Sequence, residues 1–150
     1  MSRQPLLGRS AYRHFRTVPT RWADNDFYGH VNNIVYYGWF DTAVNAWLIE
    51  AGLLDLAIGD PIGLVVETGC RYVRPLAFPQ PVEIGLGVEH IGRSSVRYRL
   101  GVFDSGSDEP AAEGHFVHVY VGRDGRRPVE LPAAWREALA RITMEGKGDA

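Results

Sequence analysis

The stretch from about Ile34 to Ala51 constrains this chain more than any other part of it. Across about eighteen residues only Asp41 and Glu50 carry charge. Ile34, Tyr37, Asp41, Val44 and Leu48 fall together on a helical wheel, and so do Val35, Trp39, Ala43, Ala46 and Trp47. Asn32 or Asn33 stands where an N-cap accepts from the free N–H groups of a first turn, and Gly52 stands where helices end. A helix apolar nearly all round is expected to be enclosed rather than laid on a surface. At ~1.5 Å per residue it reaches ~27 Å, the width of a small domain.

What can enclose it is written in the second half. After about Ile62 the chain reads as sheet. Leu64, Val66, Thr68, Cys70 and Tyr72 alternate with Val65, Glu67, Gly69, Arg71 and Val73, until Pro75 to Pro81 break the run. Val82 to Glu89 and Ser95 to Val102 alternate in the same way, and Ala111 to Val121 reads as a further strand, with Gly92-Arg93-Ser94 and Ser105 to Pro110 as turns. Four consecutive strands with short connections predict an antiparallel meander, joined by a strand from Tyr12 to Val18. The expected fold is α+β, one long central helix wrapped by a curved antiparallel sheet of about five strands. Residues 1–150 form one domain with a core of about 12–122. The first ten residues read as a loose arm, Pro132 to Ile142 as a short helix, and the last residues as disordered.

Composition narrows the class. At 45% hydrophobic and 23% charged, 150 residues supply enough apolar material for one core. A net charge of −2 and an isoelectric point near 6.2 leave no basic footprint for nucleic acid or an anionic membrane. Gly, Pro and charged residues interrupt every apolar run short of the ~18 residues of a membrane span. The first residues, MSRQPLLGRS, lack the apolar core of a signal peptide, so a cytoplasmic location is expected. Cys70 is the only cysteine, which excludes an intramolecular disulfide and any multi-cysteine metal site. In an apolar strand it reads as a buried, inert thiol. His115 and His118 are three apart on a strand, hence on opposite faces and not a metal pair. No metal or cofactor is called for.

The densest polar cluster immediately precedes the helix: Arg21-Trp22-Ala23-Asp24-Asn25-Asp26-Phe27-Tyr28-Gly29-His30-Val31-Asn32-Asn33. A helix N-terminus offers unpaired N–H groups and the positive end of the macrodipole, which hold a carboxylate, a phosphate or a developing oxyanion. A carboxylate or imidazole beside those donors completes a catalytic pair, and the segment supplies both. The same residues also suit a capped structural turn. A calcium loop does not fit: Tyr28 stands where the third oxygen ligand belongs and Val35 where the twelfth-position Glu belongs.

This segment, continued by Val35-Tyr36-Tyr37-Gly38-Trp39-Phe40-Asp41, resembles the hotdog-fold acyl-CoA thioesterases of the 4-hydroxybenzoyl-CoA thioesterase type. Tyr72-Val73-Arg74-Pro75-Leu76, Val82-Glu83-Ile84 and His90-Ile91-Gly92-Arg93-Ser94-Ser95-Val96 follow in matching order, so the likeness runs from about Tyr12 to Val121. The resemblance implies hydrolysis of an acyl- or aroyl-CoA thioester, or of an acyl-carrier-protein thioester. It puts the acting carboxylate on Asp26, as nucleophile or as general base on water. It puts the oxyanion donor on the Asn33 backbone N–H, and puts Gly29, whose close turn lets substrate approach, and Tyr28 among the substrate- and CoA-binding residues. Asp24 then caps the turn or pairs with Arg21. His30 is an assisting group or a structural histidine, and Asn32 orients substrate or caps the helix. Arg93, Ser94 and Ser95 are expected at the pantetheine and nucleotide of CoA. Another branch of the superfamily uses a helical carboxylate. Asp41 is the nearest here and is expected to pair with an Arg of the sheet, while Glu67, mid-strand, is expected at an edge or in a salt bridge. The resemblance further implies homodimers or homotetramers with sites between protomers. The contrasting reading is a non-catalytic module that binds acyl groups or CoA, since fold does not fix function.

Overall fold

Asn32 fixes where the long helix begins. Its side-chain oxygen accepts the Ile34 N–H at 3.0 Å, taking up a donor that the first turn leaves free, and helix α1 runs Asn33–Glu50. The structure, a computed structural model, describes residues 5–144. Five strands follow the alternation of the sequence: β1 His14–Val18, β2 Ile62–Tyr72, β3 Val82–Ile91, β4 Ser95–Asp104 and β5 Ala112–Val121. They form one antiparallel sheet in the order β1-β3-β4-β5-β2.

That order corrects the expected four-strand meander. Only β3, β4 and β5 follow one another, and β2 pairs with β5 from Ile62↔Val121 to Tyr72↔Ala112. The cause lies in residues 73–81, where Pro75, Pro79 and Pro81 provide no tight hairpin turn. The chain instead passes from one edge of the sheet to the other side of β4.

Helix α1 lies on one face of this sheet. Tyr36, Trp39, Phe40, Ala43, Val44, Trp47 and Leu48 form its buried stripe, at the i, i+3, i+4 spacing of one helix face. They pack with Val82, Ile84, Leu86 and Val88 of β3, Val96, Tyr98, Leu100 and Val102 of β4, and Phe116 and Tyr120 of β5. Phe40 is fully buried, and its ring fills the space where Gly114 has no side chain. The expected enclosure of the helix is thereby corrected. Ile34, Gly38, Asp41, Thr42 and Ile49 are exposed on its other side, so the sheet covers one face only.

The opposite face of the sheet is charged. Arg99 grips both carboxylate oxygens of Glu113 at 2.9 Å and reaches Glu89 at 3.1 Å, while Arg71 and Arg97 join Glu113 and Glu89. The two chain ends also contribute more than expected. Arg9 bonds Glu83 at 2.6 Å and Ser107 O at 2.9 Å and lies over the Phe103 ring, so the arm is tied to the sheet from Arg9 onward. Helix α2, Ala133–Ala140, forms as expected, and Leu131, Trp135, Leu139 and Ile142 belong to the main core, which extends well past residue 122. The final residues expected to be disordered, 145–150, lie outside the described residues.

His118 and His115 do lie on opposite faces. His115 Nε2 meets Glu67 at 2.7 Å, whereas His118 is buried with Nδ1 at 2.8 Å from the Tyr120 hydroxyl, itself 2.8 Å from the Tyr98 hydroxyl. Burial pushes the His118 imidazole down to about 4. The folded protein therefore keeps it neutral where the unfolded chain, with an ordinary value of ~6.5, takes a proton. Between those two values the unfolded state binds more protons, so stability falls as pH drops from ~6.5 toward ~4, by on the order of 3 kcal/mol. Urea unfolding of wild type and His118→Phe at pH 7 and at the acid end of this window checks it. The variant should lose less stability on acidification than wild type.

Candidate active site

The loop before α1 is held from inside by Asp24. It ends a single turn of 3-10 helix, Trp22–Asp24, and is only 2% exposed. Its carboxylate accepts the Arg21 backbone N–H at 2.8 Å and two guanidinium N–H groups at 3.0 and 2.8 Å, and its carbonyl accepts the Asn32 N–H at 2.9 Å. Asp24 is the anchor of the turn, paired with Arg21 as the sequence suggests. Asn25 Oδ1 accepts the Phe78 N–H at 3.0 Å and Leu76 O accepts the Val31 N–H at 2.7 Å, stitching the loop to the crossover segment.

Between these anchors the chain reverses tightly. Asp26 N–H donates to His30 O and Gly29 N–H donates to Asp26 O, both at 2.9 Å, and Gly29 takes φ +81°, the left-handed region that favours glycine. Asp26 Oδ1 accepts the Tyr28 N–H at 2.8 Å, which fixes the carboxylate's direction at the tip of the turn. Asp26, His30 and Asn33 come together around one cleft of about 370 Å³, with Tyr36, Tyr72 and Arg74 on its walls. The first turn of α1 opens into this cleft with the positive end of its dipole, beside a fixed carboxylate. That pairing suits general-base or nucleophilic attack at a carbonyl whose oxygen gathers negative charge.

Tyr72 also lines the candidate cleft, and sequence reasoning missed it. At the end of β2 its hydroxyl donates to the Asn33 carbonyl at 2.9 Å, and its ring meets Tyr36 edge-on at 5.0 Å. It ties the first residue of α1 to the sheet edge. Alternation puts Tyr72 on the Cys70 side of its strand, but nothing in the sequence joins that strand to the helix start.

Other residues stand elsewhere. The Asn32 side chain is occupied by the cap, and Asn32 does not line the cleft. Tyr28 is 80% exposed, edge-on to Phe27 and outside the cleft. Arg93, Ser94 and Ser95 form the β3–β4 turn, which lies toward the start of β2, because Ser95 pairs with Val119 and Val119 with Leu64. The cleft lies at the other end of β2. Asp41 corrects an expectation: it is exposed on α1 and its Oδ1 accepts from the Asn45 side chain at 3.0 Å, not from an arginine of the sheet. Glu67 meets His115 and, at 3.4 Å, Arg97 on the edge strand, as expected of a salt-bridged residue. Burial pushes the half-buried Cys70 thiol up to about 11, which disfavours the thiolate a nucleophile needs.

The sequence model of the thioesterase-like superfamily matches residues 20–139, from the loop anchored by Asp24 to the end of α2. The chain belongs to the thioesterase-like superfamily. By that membership it is a thioester hydrolase. Its structure is similar to the crystal structure of the PA5185 protein from Pseudomonas aeruginosa, with 52% identity, TM-score 0.90, and 94% of this chain and 99% of that one covered. The PA2801 protein from Pseudomonas aeruginosa is 29% identical at TM-score 0.77, covering 85% of this chain and 98% of its own. The gentisyl-coenzyme A thioesterase BH1999 is 26% identical at TM-score 0.71, covering 85% and 99%. These neighbours share the hotdog fold, a long helix against a five-stranded antiparallel sheet.

The two acids of the loop separate cleanly by experiment. Asp24→Ala strands buried donors and should cost ~1–3 kcal/mol in urea unfolding. Asp26→Asn keeps an oxygen for the Tyr28 N–H and should stay within ~0.5 kcal/mol of wild type.

Proposed function

We propose that this thioesterase hydrolyses acyl- or aroyl-CoA thioesters to the free acid and CoA, with Asp26 as the acting carboxylate. The observation that carries the reading is the shared cleft of Asp26 and the α1 N-terminal turn. Asp26 either attacks the thioester carbonyl, giving a mixed anhydride that water then opens to the free acid, or draws the proton from a water that attacks the carbonyl itself. The Asn33 N–H steadies the carbonyl oxygen as charge develops, and no hydrogen bond from that N–H is formed among the described residues. The thiolate of CoA leaves and takes a proton. His30, on the wall of the same cleft, assists by holding substrate or water. The gentisyl-CoA activity of a 26% identical structural relative supports a CoA thioester as substrate.

The working unit in this proposal is a pair of subunits. Strand β2 pairs with β5 on one side and exposes Leu64, Val65 and Val66 at 37%, 47% and 58%, and among the described residues no strand lies along its other side. An apolar edge of that kind is a template for pairing. Antiparallel pairing with β2 of a second copy joins the two sheets about a two-fold axis. The axis reverses the partner, so the partner's Arg93 turn arrives at the end of the sheet that holds this cleft. It stands about three strand spacings away, on the order of 15 Å. There it meets the phosphates of a CoA whose thioester lies at Asp26.

Two measurements test these claims. Thiol release from a panel running from acetyl- to palmitoyl-CoA, with benzoyl- and phenylacetyl-CoA, should show turnover by wild type. Asp26→Asn should lose roughly 10²–10⁴-fold in kcat at unchanged melting temperature. Equal activity in both would move the carboxylate role away from Asp26. Size-exclusion chromatography with light scattering should give a dimer or its multiple for wild type and a smaller species for Val66→Lys, which puts a charge on the apolar edge. A monomeric wild type would remove the paired-edge reading.

A further inference from the structure

The first backbone donor of helix α1 is left over. The Ile34 N–H is spent on the Asn32 side-chain oxygen at 3.0 Å and the Val35 N–H on the Asn32 carbonyl at 2.9 Å. The Asn33 N–H forms no hydrogen bond among the described residues, and Asn33 is exposed, so close packing does not hold it in place. The loop side of this joint is fixed, because the Asn32 N–H donates to the Asp24 carbonyl at 2.9 Å. On the helix side the Tyr72 hydroxyl, 39 residues away in the chain, donates to the Asn33 carbonyl at 2.9 Å.

Tyr72 is itself held by the sheet. It closes β2 opposite Ala112, and just beyond it the Val73 and Arg74 N–H groups donate to the Ala111 carbonyl at 2.8 and 3.1 Å. Its ring meets the buried Tyr36 ring edge-on at 5.0 Å. Burial above all, with the Cys70 thiol and the Tyr37 hydroxyl beside it, pushes its ionisation upward, so the hydroxyl stays a donor at neutral pH. Neither partner needs this bond to be satisfied. The α-helical pattern gives the Asn33 carbonyl the N–H of Tyr37, and Tyr72 is 42% exposed, within reach of water. What the bond adds is direction.

We propose that Tyr72 is a positioning residue of the hydrolase, whose hydroxyl holds Asn33 so that its N–H stays aimed at the carbonyl oxygen where charge develops. The inference rests on the thioester-hydrolase reading of the cleft and deepens it. The peptide plane that carries the Asn33 N–H turns only about the bonds at the Asn32 and Asn33 α-carbons. Hydrogen bonds to the loop fix the first end, and the bond from Tyr72 fixes the second. A donor that must swing toward an oxyanion gives back part of its stabilisation as reorganisation, and one already in place does not. Tyr72 acts in this through Asn33 and on the transition state, so its hydroxyl belongs in kcat rather than in KM.

Two substitutions test this together. Tyr72→Phe keeps the ring and removes the hydroxyl. Asn33→Pro removes the N–H itself at the first helical position, where proline is accepted. The extended backbone of Asn32, φ −62° and ψ 139°, suits the residue before a proline. Circular dichroism and thermal melting check that each variant folds. In thiol release with the acyl-CoA panel, Tyr72→Phe should lose roughly tenfold in kcat, with KM within about twofold of wild type. In the Asn33→Pro background the same change should cost less than about twofold, because the hydroxyl then has no N–H to position. A merely structural tyrosine would cost the same factor in both backgrounds. Should Asn33→Pro not fold, carbon NMR decides. The probe is the ketone analogue of the fastest substrate, with a methylene for the thioester sulfur and ¹³C at the carbonyl. Its carbonyl resonance should move downfield on binding wild type and less on binding Tyr72→Phe. Wild-type kcat in Tyr72→Phe or in Asn33→Pro, an equal loss in both backgrounds, or equal carbon shifts overturn the role of Tyr72 and leave the hydrolase reading standing. A wild type that turns over no member of the panel removes both.

Discussion

The seating of α1 on the sheet through Phe40 is the contact on which the rest of the molecule depends. A fully buried phenyl ring against a strand glycine fixes the distance between helix and sheet, and burial of such a side chain contributes ~1.5–3 kcal/mol. With Tyr36, Trp39, Val44 and Leu48 packed along the same stripe, the helix cannot slide or roll without opening voids. Its first turn is thereby held against the end of β2, where Tyr72 adds a hydrogen bond to the Asn33 carbonyl. A helix end can polarise a carbonyl only if it does not have to reorganise as charge develops, and the packing behind it supplies that rigidity.

Two acids two residues apart show how local wiring separates roles. Asp24 is turned inward, and its carboxylate and carbonyl both accept hydrogen bonds from the loop and the helix entry. Asp26 sits at the tip of the reversal, bonded through Oδ1 to one backbone N–H and facing the cleft. The first acid builds the turn and the second is presented by it. A glycine in the left-handed region makes the reversal tight enough to place Asp26 beside the helix start.

Much of this was legible in the sequence because it is encoded locally. The cap at Asn32, the helix that follows, the alternation of the strands and the Asp24–Arg21 pair each depend on residues close in the chain. Nonlocal features were hidden. The partner of β2 is chosen by sheet-wide packing, and the bulge between Val65 and Glu67 resets the strand's alternation midway. The face of α1 that is buried could not be read, since apolar residues surround it and only contact with the sheet selects Phe40 over Ile34. Tyr72, the β3–β4 turn and the core residues of α2 all take their places from contacts with residues far away along the chain. Composition is silent on such contacts.

The strand order also sets a schedule for the growing chain. β2 is made second but, among the described residues, its strand ladder is formed with β5, and the 39 residues from 73 to 111 separate the end of one from the start of the other. At ~5–20 residues per second, a ribosome takes on the order of 2–8 s to produce that interval. For that time Leu64, Val65 and Val66 have no strand to pair with inside their own chain, while β3 and β4 can already close their hairpin. The strand that offers the finished protein its open edge is therefore also the last to find its place, and a nascent chain stalled before β5 carries that apolar strand bare.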